Sequence, residues 1–265
     1  PYRWGRYDLL VLPASFPFGG MENPRLSFIT PTIITGDRSL VSLIAHELAH
    51  SWSGNLVTNA SWKDFWLNEG FTTYVENRIV EKVFGAEQAA MESVVAQAGL
   101  RAALATLPPA QQVLALPPLP GRDPEQVLTD VAYVKGQWFL MFLEQRFGRE
   151  AFDAFLRRWF DEHAFQSVTT DDFLAFLRRE LIAKHPGKLT EAELAAWIAG
   201  PGIPDFAVPA TSSRLIAVDA AREAWLQHRI AAAELDTGAW ITQEWVHFLE
   251  GLPEDISAER LLEID

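Results

Sequence analysis

Cysteine is missing altogether from the 265 residues. Disulfides and thiolate metal ligands are thereby excluded, and the redox compartment is left undetermined. Basic residues are scarce: 22 Lys and Arg stand against 35 Asp and Glu, giving a net charge of −13. That balance argues against nucleic acid and anionic membrane surfaces as partners. An acidic surface could favour cationic peptides, but charge spread over so many residues serves solubility first. No apolar run approaches ~18 residues, so no membrane span is expected. Neither an initiator methionine nor a signal segment is present, and the chain opens at Pro1. Targeting information is therefore expected to lie outside it. A soluble protein is expected, with the cytoplasm slightly favoured as its compartment. No internal repeat or low-complexity tract appears.

What is present is a metal-ligand pattern. His46-Glu47-Leu48-Ala49-His50 is followed, after eighteen residues, by Glu69 in Trp66-Leu67-Asn68-Glu69-Gly70. Histidines at i and i+4 project from one face of a helix, so both imidazoles can reach a single ion. Glu47 points about 100° away around the same helix and can address a metal-bound water without being a ligand. Three protein ligands leave a fourth position open, which marks catalytic rather than structural zinc. Arg38 to Trp52 reads as the carrying helix, with apolar Leu40, Val41, Leu43, Ile44 and Leu48, Asp37 as N-cap and Gly54 as stop. The alternative is an ordinary helix with two surface histidines. A buried helix carrying these side chains needs partners for them, and one zinc ion supplies those partners.

A third histidine of the HExxHxxGxxH pattern would fall at position 56, which is Leu56, and Ser53 stands where that pattern has glycine. The metzincin class is excluded. A glutamate from a second helix is the gluzincin arrangement, and residues 67–84 have the periodicity for that helix, ended by Gly85. Glu76 lies two turns beyond Glu69 on nearly the same face. It could orient a ligand histidine from behind or simply be a surface charge.

Upstream lies Gly19-Gly20-Met21-Glu22-Asn23-Pro24. Asp8 to Leu12 and Leu26 to Ile34 read as extended segments on either side. Two glycines between strands let another backbone approach, which suits a peptide along an edge strand. Glu22, just beyond, could pair with a substrate's α-ammonium group. Alone the motif is a turn; beside a gluzincin site the functional reading is preferred.

These three motifs at this spacing resemble the aminopeptidase N / leukotriene-A(4) hydrolase family of zinc metallopeptidases, most closely the leukotriene-A(4) hydrolase-like aminopeptidase branch. Tyr7 to Pro13, Ser51 to Asn59 and Trp240 to Trp245 resemble that branch as well, and the likeness runs to about residue 250. The resemblance implies zinc ligands at His46, His50 and Glu69, a general base at Glu47 and an amine-anchoring glutamate at Glu22. It also implies substrate-binding backbone at Gly19, Gly20 and Met21. Tyr133, in Ala132-Tyr133-Val134-Lys135-Gly136, matches the tyrosine that stabilises the oxyanion. A phenol of ordinary pKa ~10 can donate toward developing charge at neutral pH. Phe18 stands where the mammalian leukotriene enzyme has a tyrosine, and Leu128 and Glu125 stand where it has a tyrosine and an aspartate. Those departures bear on lipid-epoxide chemistry, so hydrolysis of peptides with a free N-terminus is the preferred activity.

The implied fold is α+β and mostly helical: a thermolysin-like zincin domain, small sheet plus helices, followed by the start of an α-helical domain. Residues 1–199 are expected to form the catalytic domain, 200–210 a Pro/Gly-rich linker, and 211–265 the first short amphipathic helices of the next, with Gly251 and Pro253 as a stop. Thr190 and Glu193 form a capping box. The loop from Leu107 to Pro124 is expected to border the cleft. Family members carry an N-terminal β domain and a longer helical domain, on which activity is expected to depend. Two rivals stay open: epoxide opening on the same metal, and a zinc-stabilised inactive fragment or interaction module. His163, His185, His228 and His247 sit singly and are expected to be solvated.

Overall fold

The computed structural model describes residues 2–117, 121, 123 and 129–264. Glu125 and Leu128 lie outside the described residues. Three strands open the chain: β1 (Asp8–Val11), β2 (Gly20–Met21) and β3 (Leu26–Ile29). Their order is β1-β3-β2, with β1 parallel and β2 antiparallel to β3, so Gly20 faces Ile29 and Met21 faces Phe28. The extended reading of Leu26 to Ile34 is too long. The ladder stops at Ile29, and Pro31 opens a 3-10 turn through Ile33 capped by Thr30. Proline brings no N–H to a ladder and its fixed φ suits the first turn of a helix.

The metal-pattern helix α1 spans Val41–Ala49, shorter than expected. Its N-cap position is Leu40, with no side-chain cap. Asp37 instead organises the preceding turn, accepting from the Ser39 N–H at 2.9 Å and from the Thr35 and Ser39 hydroxyls at 2.8 and 2.6 Å. An aspartate that satisfies a local turn cannot also cap a helix four residues on. β4 (Val57–Asn59) pairs in parallel with β5 (Gln166–Val168). α2 spans Trp66–Phe84 and ends at Gly85, whose φ of +97° favours glycine.

Next come α3 (Ala86–Leu104), α4 (Gly136–Phe147), α5 (Arg149–Glu162), α6 (Thr170–Leu177) and α7 (Glu191–Ile198). The Thr190–Glu193 capping box opens α7. Aromatic residues fill the centre. Trp66, Phe71, Phe139, Phe152, Trp159, Phe173 and Trp197 are essentially inaccessible. Trp66 meets Phe173 edge to face at 5.3 Å, an arrangement that adds to simple area burial. α8 (Ser213–Leu226), α9 (Thr242–Glu250) and α10 (Ala258–Leu261) follow an irregular stretch. Val218, Trp225 and Phe248 form a separate small cluster there. Among the described residues no helix is long and apolar enough to cross a membrane.

Three of the four lone histidines are partly buried rather than solvated. His163 packs against Trp159 with ring centroids 4.0 Å apart and planes tilted by 39°, His185 meets Phe147 edge-on at 5.9 Å, and His247 bonds Asp219 at 2.8 Å. Imidazole edges supply both apolar contact and a hydrogen bond, which sequence spacing alone does not reveal. His228 is exposed.

Candidate metal centre and substrate cleft

α1 packs across the first turns of α2, bringing His46, His50 and Glu69 together. The two Nε2 atoms lie 3.2 Å apart, and Glu69 Oε2 lies 3.2 Å from one and 3.5 Å from the other. Ligand atoms at ~2.0–2.1 Å from a tetrahedral zinc stand about 3.3 Å from one another, so the observed triangle has the size that ion requires. The chemistry of the donors agrees. His50 Nδ1 lies 2.9 Å from the Ser53 carbonyl, an acceptor only, so Nδ1 carries the proton. His46 Nδ1 lies 2.9 Å from Glu76 Oε2 and donates in the same way. In the neutral rings both Nε2 lone pairs then face each other, and neither offers the buried Glu69 Oε2 a proton, which leaves that oxygen unpartnered unless His46 is protonated. Two lone pairs and a carboxylate at that spacing require a cation between them. With no such cation, a proton takes its place. Burial alone would lower the His46 pKa, but hydrogen bonds to Glu69 and Glu76 outweigh it and push it up to about 10.

Glu47 faces the same cleft and is 4% exposed, with Oε2 unpartnered. Burial first, then the charges of Glu22, Glu69 and Glu76, push its carboxyl up to about 8, against the lowering effect of His46. A metal cation would pull in the lowering direction as well. Gly20 makes this position possible, because a Cβ there would run into the Glu47 carboxylate. At Gly19 a Cβ would only touch Leu43 at 3.4 Å. The two glycines are thus not equivalent.

Glu22 follows β2 and places Oε1 3.8 Å from His50 Nδ1. Tyr133 lies in a π-helical segment, Val131–Lys135, that runs into α4. Its ring stacks near His46 at 6.1 Å and meets Phe65 edge-on at 6.0 Å. Burial, reinforced by the Glu69, Glu22 and Glu47 charges, raises the phenol pKa, so it stays protonated. α2 and α4 approach closely enough to set Glu69 beside Tyr133 because Gly70 meets Gly136. A Cβ on Gly70 would stand 2.8 Å from the Gly136 Cα. The shared cleft, about 1170 Å³, is also lined by Phe18, Met21, Trp62, Phe65 and Asp123, the last from the expected bordering loop.

Sequence reasoning missed two supports. Ser53 holds His50 through its carbonyl and, through Oγ, donates to Leu67 O at 2.9 Å and Asn68 O at 2.8 Å. Thr72 Oγ1 lies 3.1 Å from His50 Nδ1. Ser53 was visible only as the absence of a metzincin glycine. Thr72, three residues after Glu69, carried no signal beyond helical spacing.

Residues 1–192 match the peptidase family M1 domain. Aminopeptidase B of Rattus norvegicus is 41% identical over 267 residues, covering 94% of this chain and 40% of its own length. Native leukotriene A4 hydrolase from Saccharomyces cerevisiae superposes with a TM-score of 0.85 at 32% identity, over 100% of this chain and 46% of that one. A mutant M1 zinc metallopeptidase from Deinococcus radiodurans, bound to a Tyr-Ser-Ala substrate, gives 0.59 at 27% identity, over 77% of this chain and 41% of that one. The chain thus spans about two fifths of the length of the curated relatives it matches. By the match over its first 192 residues, and by this likeness along nearly its whole length, the chain belongs to peptidase family M1.

Proposed function

We propose that this chain carries the catalytic centre of a zinc aminopeptidase, which removes the N-terminal residue of peptides. The observation that carries the reading is the triangle of His46 Nε2, His50 Nε2 and Glu69 Oε2 at 3.2–3.5 Å, with the unpartnered Glu47 carboxylate beside it. His46, His50 and Glu69 would hold one zinc ion, which when bound polarises a water and the scissile carbonyl. Glu47 Oε2 accepts the water's proton and passes it to the leaving amine. Tyr133 donates its phenolic hydrogen to the developing oxyanion. Glu22 binds the α-ammonium group, so the first peptide bond alone reaches the metal. Four carboxylates converge here, Glu22, Glu47, Glu69 and Glu76, and a dication plus a substrate ammonium offsets three of their four charges.

Relatives support the reading in kind: the rat protein is named an aminopeptidase, and the Deinococcus enzyme holds a tripeptide. Epoxide opening would use the same centre, but Phe18, 54% exposed at the cleft, supplies no hydroxyl for it. Activity of the whole protein is proposed to draw on segments beyond these residues. Glu22→Ala tests the anchor. It should lower kcat/KM for an amino-acid anilide by about 10–100-fold while leaving an N-acetylated analogue unaffected. An unchanged preference for the free amine would refute it. An epoxide fatty acid assayed in parallel separates the two chemistries.

A further inference from the structure

We infer that Asn55 is a positioning residue for Glu22, and that the turn Ser53–Asn55 fixes the separation between the amine anchor and the metal centre. The inference rests on the amine-anchor reading of Glu22 given above.

Asn55 Nδ2 donates to the backbone carbonyl of Glu22 at 2.8 Å, across 33 residues of sequence. Glu22 stands one residue past Met21, the last ladder position of β2. The chain turns immediately afterwards: Asn23 N–H donates to Met21 O, and Arg25 takes a φ of 68°. Glu22 therefore occupies a corner that the sheet does not pin, and the Asn55 amide supplies the missing tie.

The other end of the tie is rigid. Asn55 N–H donates to His50 O at 3.0 Å, and the Ser53 carbonyl accepts from His50 Nδ1 at 2.9 Å. Ser53, a residue 1% exposed, donates through Oγ to Leu67 O and Asn68 O, the carbonyls just before Glu69. Gly54 joins Ser53 to Asn55, and only glycine fits there. Its φ is +108°, and a Cβ there would stand 2.7 Å from Asn68 Oδ1 and 3.0 Å from His50 Nδ1. One three-residue turn thus touches one histidine ligand, the turn bearing the glutamate ligand, and the anchor. An exopeptidase needs the ammonium at a fixed distance from the metal, since displacements near 1 Å cost roughly a hundredfold in productive binding. An asparagine amide suits the task because it presents a donor to a carbonyl at short reach. An aspartate at 55 would bring a second acceptor instead.

The test uses the zinc-loaded chain and two calorimetric probes, leucine hydroxamate with a free amine and its N-acetyl derivative. Their affinity ratio in the wild type measures the amine's contribution. Asn55→Ala and Asn55→Asp should each shrink that ratio by about tenfold, the usual worth of one hydrogen bond. Zinc content and the affinity of the acetylated probe should not change. Two results overturn the inference: a ratio kept in both Asn55 variants while Glu22→Gln erases it, or a parallel loss for both probes, which marks a merely structural role. A ratio that survives Glu22→Gln overturns the anchor reading itself, and the Asn55 role falls with it.

Discussion

Glu47 and Tyr133 face the same cleft, and the different roles proposed for them are separable by substitution. Glu47 sits 4% exposed with one carboxylate oxygen unpartnered, a costly arrangement unless a ligand satisfies it. Glu47→Gln keeps the volume and all three metal ligands but has no base. It should retain zinc and lose at least about 10³-fold in kcat. Tyr133→Phe removes one donor toward the oxyanion and should cost about 10²–10³ in kcat with little change in KM. Stopped assays alongside metal analysis check both, and an active Glu47→Gln enzyme would contradict the assigned role. At this scale the sequence was most readable, because histidines at i and i+4 with a glutamate on the next helix have few other uses. Glu76 was less so. Its spacing fitted a surface charge equally well, and only the 2.9 Å contact with His46 Nδ1 distinguishes the two.

Elements decide whether those side chains meet. Gly70 and Gly136 let α2 lie against α4, and neither glycine announced that contact in the sequence. Within a helical pattern a glycine reads as a weak point rather than a crossing. Gly70→Ala would place a methyl 2.8 Å from the Gly136 Cα and 3.0 Å from the Ala132 carbonyl. Such overpacking should destabilise by about 1–3 kcal/mol. It should also push Tyr133 away from Glu69, so denaturant midpoint and kcat should fall together. A variant as stable and active as the parent would show that the helices do not need this approach. The π-helical turn at Val131–Lys135 was equally hidden, since no residue pattern signals an i→i+5 bond. Lys135, wholly buried, donates to Gln112 O at 2.8 Å and Gly200 O at 2.7 Å and ties that turn to two loops. Helix termini were misread for a similar reason. Asp37 has the composition of an N-cap, but its hydrogen bonds go to its own turn.

Across the whole molecule, that turn carries a long-range tie. Thr242 Oγ1 donates to Asp37 Oδ2 at 2.7 Å, and Gln243 Nε2 donates to Ser39 O at 2.8 Å. Hydrogen bonds from Ser39, then from Thr242 and Thr35, hold the Asp37 carboxyl well below the usual range. α1 has no side-chain cap of its own, so the start of α9 steadies the entry to the metal-ligand helix. Removing both donors, by Thr242→Val with Gln243→Ala, should speed amide exchange over residues 38–43 by about tenfold and leave α2 protected. Uniform exchange across both helices would contradict that coupling. The helical class and the small leading sheet were legible from periodicity and turn residues. Contacts between positions 200 residues apart were not, because each partner is an ordinary polar side chain in its local setting.

His46, His50 and Glu69 are proposed to share one zinc ion whose remaining position serves hydrolysis. Stripping the protein with chelator and titrating zinc back, while following metal content and cleavage of a leucine anilide, tests it most directly. Activity should rise in proportion to bound zinc and level off at about one ion per chain, with His50→Ala abolishing both. Cleavage that persists in the stripped protein, or zinc retained at full stoichiometry by His50→Ala, would contradict it.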